Sequence, residues 1–181
     1  IVWTAQQLAP HAPSEAPARL RVGALTIAIL VLAQIYLGAL VAGLNAGFVY
    51  NTWPMIDGAI VPSLERLWFI QPTWRNLFEN TLTVQFDHRM VAYAIWVLAG
   101  LHAIDARQAR QGADGAVMLA AAVTLQAALG VTTLLYQAPL SLALAHQVLA
   151  IVVFTVAVMH AEQLWHRATL NVPQATAEQS V

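Results

Sequence analysis

The chain has 181 residues, of which 59% are hydrophobic and 9% charged, and its mean hydropathy is +0.63. Soluble domains carry about 25% charged residues, so a protein working wholly in water is excluded. A net charge of −1, with all eight basic residues arginine, leaves no basic face for nucleic acid, and the lack of cysteine excludes disulfides, thiolate metal sites and iron–sulfur clusters.

The first residues, Ile1-Val2-Trp3-Thr4, have neither an initiator Met nor a signal-peptide layout. Residues 1–21, with Pro10, Pro13 and Pro17, read as a linker from an N-terminal half that is missing here. A bilayer needs about 20 apolar residues per helix, and four stretches supply them: 22–44, 82–104, 115–136 and 140–161. The first carries no charge, whereas the second has Asp87, His88 and Arg89 in its first third. Together they predict a membrane domain over 22–163, followed by a polar tail, 164–181, whose end is expected to be disordered.

The connections are unequal. Residues 105–114 form a short polar loop, and Gln137-Ala138-Pro139 a tight turn. Residues 45–81 are long and hold Trp53, Trp68 and Trp74, which suits a loop lying at headgroup level and capping something beneath it. Arg19, Arg21, Arg107, Arg110 and Arg167 fall on one side of the bilayer, and Arg66, Arg75 and Arg89 on the other. The side with more arginines is expected to be cytoplasmic, which puts the long loop outside.

The histidines carry the chemistry. The second span reads His88-x3-Ala92-x2-Ile95-x3-Ala99-x2-His102 and the fourth His146-x3-Ala150-x2-Val153-x3-Ala157-x2-His160, one helix face in each case. The first and third spans echo each other as Gln34-x2-Leu37-Gly38 and Gln126-x2-Leu129-Gly130. The expected fold is therefore an all-α integral membrane four-helix bundle built as two parallel-repeated hairpins, with a long extracytoplasmic loop between its first two helices.

His88 lies 17 residues before Asp105 and His146 lies 16 before Glu162, so both imidazoles stand about 25 Å above the same end of the bundle. Two imidazoles at equal depth on facing helices, each beside a small residue (Ala92, Ala150), are what the two axial positions of one haem iron require. Gly38, Gly43 and Gly130 would thin the other walls. Histidines bonding only helix to helix is the alternative. His102 and His160, at the cytoplasmic ends, read as interfacial residues bonded to carbonyls or headgroups, and His11 and His166 as solvent-exposed. Arg89, then Arg75, are candidate partners for haem propionates; Arg89 snorkelling to headgroups or pairing with Asp87 is the competing reading. Gln85 or Gln147, close to the ligands in sequence, could bond an imidazole's second nitrogen, though Gln147 points elsewhere on its helix. Copper has no ligand cluster.

Gly43-Leu44-Asn45-Ala46-Gly47, Tyr50-Asn51-Thr52-Trp53-Pro54-Met55, Arg75-Asn76-Leu77-Phe78-Glu79-Asn80, Val84-Gln85-Phe86-Asp87-His88-Arg89 and Ala145-His146-Gln147 together resemble the haem A synthase family, in its proteobacterial and mitochondrial form. The likeness covers roughly residues 23–162 and points to the C-terminal of that family's two four-helix halves. It implies that His88 and His146 ligate a resident haem b. It further implies that haem O is the substrate, its C8 methyl group being oxidised to a formyl group to give haem A, with catalytic residues in the other half. Gln85 stands where the substrate half would carry a carboxylate, which fits a cofactor site. Expected partners are the lipid bilayer, haem O synthase, an electron donor, and either a second copy or the other half. The expected location is a bacterial inner membrane, loop 45–81 on the periplasmic side. A b-type membrane cytochrome that only transfers electrons, and a non-haem scaffold or transporter half, are the alternatives.

Overall fold

The computed structural model describes residues 16–169. Four long helices dominate: α1 (Ala18–Gly43), α2 (Thr81–Ala109), α3 (Ala113–Leu135) and α4 (Leu140–Thr169). Each contains a stretch long and apolar enough to cross a bilayer, and the chain is a multi-pass membrane protein. Apart from an isolated bridge between Ile56 and Ala59, every regular element among the described residues is helical. α1 packs against α2 and α4, and α3 packs against the same two, so α2 and α4 face each other across the diagonal of a four-helix bundle.

The predicted spans match these helices, but α2 and α4 run on past residues 104 and 161. Asp105, Arg107 and Glu162 end the apolar run without ending the helix, because charged side chains are tolerated in a helix once it leaves the hydrocarbon. α1 starts directly after Pro17, and its Arg19 pairs with Asp105 of α2 at 3.0 Å. The expected linker residues 1–15, including His11, and the end of the polar tail, 170–181, lie outside the described residues, as does the side chain of His166.

Two turns rely on left-handed backbone. Gly112 (φ +64°) joins α2 to α3; the left-handed backbone favours glycine there, and a Cβ would come within 2.8 Å of Leu164 Cδ2 and displace the end of that side chain. Gln137 and Ala138, with φ 59° and 50°, turn the chain from α3 into α4, and Ala138 N–H closes the turn on the Thr133 carbonyl at 2.8 Å.

The interior is built from the stripe seen in the sequence. Ile95 and Ala99 of α2 and Val153 and Ala157 of α4 meet Ile27, Ala28 and Val31 of α1 and Leu119 and Val123 of α3 in one buried cluster. Towards the start of α1 the cluster becomes alanine-rich (Ala24, Ala103, Ala106, Ala116, Ala161), which lets the helices approach closely, with Leu20 and Leu164 filling what remains. Ile29, Leu32, Trp96, Leu101, Val148 and Ile151 point outward and are exposed, the pattern of helices solvated by lipid.

Between α1 and α2 the chain makes only single helical turns. Asn80 organises this segment: its Oδ1 accepts from Leu82 N (3.0 Å) and Thr83 N (3.4 Å), capping α2, while its Nδ2 donates to the carbonyls of Arg66 and Leu67 (3.0 and 3.2 Å) and to Asn76 Oδ1 (3.1 Å). Asn76 in turn bonds Ile70 and Thr73, so a buried amide pair replaces the hydrogen bonds an irregular backbone would otherwise lose. Arg66 also pairs with Asp57. A cleft of about 500 Å³ lined by Tyr50, Glu65, Arg66 and Phe69 lies in this segment, and no histidine borders it.

Candidate cofactor site

α2 places His88 and His102, and α4 places His146 and His160, each pair 14 residues apart on one helix. At one end of the bundle His102 Nε2 and His160 Nε2 share a hydrogen bond of 2.8 Å, with both rings buried. They are not the interfacial residues the sequence suggested. The small-residue packing around them draws α2 and α4 together, and the rings satisfy each other instead of meeting headgroups.

Fourteen residues along, about 21 Å at 1.5 Å per residue, His88 and His146 stand at matched heights on the same diagonal helices. Their surroundings correspond closely. Gln34 Nε2 donates to the main-chain carbonyl of His88 at 2.9 Å, and Gln126 Nε2 to that of His146 at 3.0 Å. The same Gln34 nitrogen lies 3.0 Å from His88 Nδ1, and that of Gln126 lies 3.5 Å from His146 Nε2. Each imidazole rests on a glycine of the adjacent helix: a Cβ on Gly38 would approach His88 Cε1 to 3.3 Å, and one on Gly130 would approach His146 Cε1 to 2.8 Å. Gly23 and Gly115 stand in the same relation to His102 and His160.

The two ends differ in packing. Around His102 and His160 the interior is closed, with Leu20, Ala106, Ala116 and Leu164 at 0–1% exposure. At the level of His88 and His146, Leu37, Gly38, Ala92, Leu129, Gly130 and Ala150 all stay partly accessible. Polar atoms there also lack partners: Gln34 Oε1, Gln126 Oε1 and His146 Nδ1 are buried without a hydrogen bond. Among the described residues, no group of three or more His, Cys, Asp or Glu side chains forms a metal cage. Two imidazoles without further protein ligands suit a metal that arrives with its equatorial ligands already in a flat macrocycle.

Arg89 follows His88 and is buried, yet it neither snorkels nor pairs with Asp87. Its two terminal nitrogens donate to the Met55 and Tyr50 carbonyls at 3.2 and 3.1 Å, while its Nε is buried without a partner. Gln85 accepts from Arg89 and donates to the Ala46 carbonyl at 3.3 Å, so this pair ties the loop to α2. Arg75 lies outside the bundle, bonded to Glu79 at 2.9 Å. That bond raises the guanidinium's affinity for its proton and holds the Glu79 carboxyl below the ordinary carboxylate range. The expectation that Gln85 or Gln147 bonds an imidazole is overturned: Gln85 serves the loop, Gln147 is exposed, and Gln34 and Gln126 take that place from neighbouring helices. The Gln-x2-Leu-Gly echo carries that signal, although neither glutamine is near a histidine in sequence.

Residues 1–158 match the model of a family described as cytochrome oxidase assembly protein. The chain belongs to that family. Its relatives include the "Heme A synthase" of Rhodopseudomonas palustris strain BisB18, 63% identical over 159 residues, which are 88% of this chain and 44% of the relative. The protein of that name from Bradyrhizobium diazoefficiens is 60% identical over 169 residues, 92% of this chain and 47% of the relative. That of Rhodopseudomonas palustris strain BisA53 is 58% identical over 173 residues, 94% and 48%. The chain thus spans about half the length of the curated relatives it matches. No solved structure matches it.

Proposed function

We propose that these residues form the C-terminal four-helix half of a haem A synthase, with a haem b held between the imidazoles of His88 and His146. The observation that carries this reading is the matched setting of the two rings: equal heights on the diagonal helices, each against a glycine, each with a glutamine at its carbonyl, in the less tightly packed end of the bundle. The same correspondence supports a tandem repeat, α1–α2 followed by α3–α4. Bound haem b would supply one-electron transfer. His88 and His146 would fill both axial positions, so this half relays electrons, and oxygen and haem O belong to residues beyond it. Arg89, through its unpaired Nε, is the first proposed propionate partner, and Arg75, which would have to leave Glu79, the second. The whole protein would make haem A, in line with the name its relatives carry, by oxidising the C8 methyl of haem O to a formyl group as the sequence resemblance implies.

The proposed orientation puts residues 44–80 on the periplasmic side of a bacterial inner membrane, opposite Arg19, Arg21, Arg107 and Arg110. The exposed apolar side chains of that segment (Phe48, Ile60, Val61, Leu64, Phe69 and Trp74) favour a position in the headgroup layer.

The test is extraction of haems from cells lacking their own haem A synthase and supplied with the full-length gene. The wild type should restore haem A, while His88→Ala and His146→Ala should leave haem O. Undiminished haem A in both variants, or none from the wild type, contradicts the proposal; in the latter case a retained b-type spectrum points to a plain electron-transfer cytochrome.

A further inference from the structure

Gln34 and Gln126 meet the main chain of the two proposed ligands in the same way. Each sits four residues before the glycine on which an imidazole rests, and each sends its Nε2 to the main-chain carbonyl of the histidine itself. A carbonyl inside a helix already accepts from the amide four residues on, so the backbone does not need this extra donor. What the bond achieves is to fix the amide beside the ring. The other amide atom, Oε1, is buried without a partner in both glutamines, and so is His146 Nδ1; the ring nitrogen nearest Gln126 Nε2 is His146 Nε2 (3.5 Å), and the one nearest Gln34 Nε2 is His88 Nδ1 (3.0 Å). Leaving such groups unpaired is costly, and an amide oxygen and a protonated ring nitrogen on neighbouring side chains would satisfy each other once the ring turns Nδ1 towards the oxygen.

We propose that Gln34 and Gln126 are positioning residues for His88 and His146. Each clamps its histidine through Nε2 and, after a turn of the imidazole, accepts Nδ1–H at Oε1. This selects the tautomer whose Nε2 is free to bind iron and aims that nitrogen into the bundle. It also makes the imidazole a stronger electron donor, which favours ferric over ferrous iron. The inference rests on the haem reading above. Glutamines acting only as interhelical glue would bond the carbonyl but have no influence on the metal.

The experiment is a redox titration, with low-spin electron paramagnetic resonance, of the full-length holoprotein carrying Gln34→Leu, Gln126→Leu, Gln34→Glu or Gln126→Glu, alongside His88→Ala and His146→Ala. Each Leu variant should raise the midpoint potential by about a tenfold change in the ferric-to-ferrous ratio, about 59 mV for one electron. It should also weaken haem retention by about 10-fold to 100-fold. Each Glu variant, with a stronger acceptor, should lower the potential. If a Leu variant does not accumulate, the Glu variant decides alone: a lowered potential supports the proposal and an unchanged one overturns it. Potentials and spectra at wild-type values in the Gln variants, while the His variants lose the b-type signal, overturn this inference alone. A b-type signal that survives both His changes overturns the haem reading, and this inference with it.

Discussion

The Nε2 atoms of His102 and His160 lie 2.8 Å apart, joining two helices that have no sequence connection other than through α3. One ring donates and the other accepts, so the bond needs at least one neutral imidazole. It pins α2 to α4 at the closed end of the bundle, about 21 Å from the level of His88 and His146. Interhelical hydrogen bonds in membranes are modest, about 0.6 kcal/mol on average and up to about 1.7. A double-mutant cycle of His102→Ala and His160→Ala, followed by thermal unfolding in detergent, should return a coupling in that range while the b-type spectrum stays. Loss of the spectrum in His102→Ala would make this pair, not His88 and His146, the ligands.

The glycines give graded predictions. A Cβ on Gly115 would lie 2.5 Å from His160 Nδ1, a ring held in place by His102, whereas a Cβ on Gly100 meets nothing within 4 Å. Alanine favours a helix over glycine by about 1 kcal/mol, and overpacking costs about 1–3 kcal/mol. Gly100→Ala should therefore stabilise the protein and Gly115→Ala destabilise it, in parallel melts. Equal shifts in the two melts would mean that the His160 ring is not confined as described.

Asn80 does two jobs that substitution can separate. Asn80→Asp keeps the acceptor that caps α2 but loses the donors to Arg66, Leu67 and Asn76; Asn80→Ala loses both. Loss of the cap alone costs about 0.5–2 kcal/mol. Limited proteolysis should cut the 44–80 segment faster in Asp than in wild type, and fastest in Ala. Wild-type cleavage rates in Asn80→Ala would show that this amide does not hold the loop.

Acid should loosen the turn before α2 through Glu79. Its folded pKa is lowered by Arg75, so the stabilisation is fully present above the ordinary carboxylate range and is lost as pH falls through the lowered value. Both side chains are exposed, so the effect is small and screened by salt. Amides of residues 76–79 should lose protection, measured against the intrinsic exchange rate at each pH, in that acid window in the wild type but not in Glu79→Gln. The same acid response in Glu79→Gln would assign it to another group.

The four spans, the two histidine stripes and the small residues between them were legible because helical periodicity and the thickness of a bilayer leave few alternatives. The His102–His160 bond was not, because whether a histidine near a span's end meets water or another helix depends on how closely the neighbours pack, which Gly23 and Gly115 decide from other helices. The loop contacts of Gln85 and Arg89 were not legible for a related reason. Nearness to His88 in sequence points to the cofactor, whereas the structure gives their donors to the backbone carbonyls of Ala46, Tyr50 and Met55, leaving Arg89 Nε over, and which loop carbonyls lie in reach depends on a fold of the 44–80 segment that no periodicity encodes.

The most direct test is the reduced-minus-oxidised spectrum of the purified full-length protein beside His88→Ala and His146→Ala. A low-spin b-type difference signal in the wild type that is lost or shifted in each variant is the predicted result. A signal unchanged in both variants would contradict it, and His88 and His146 would then not be the axial pair.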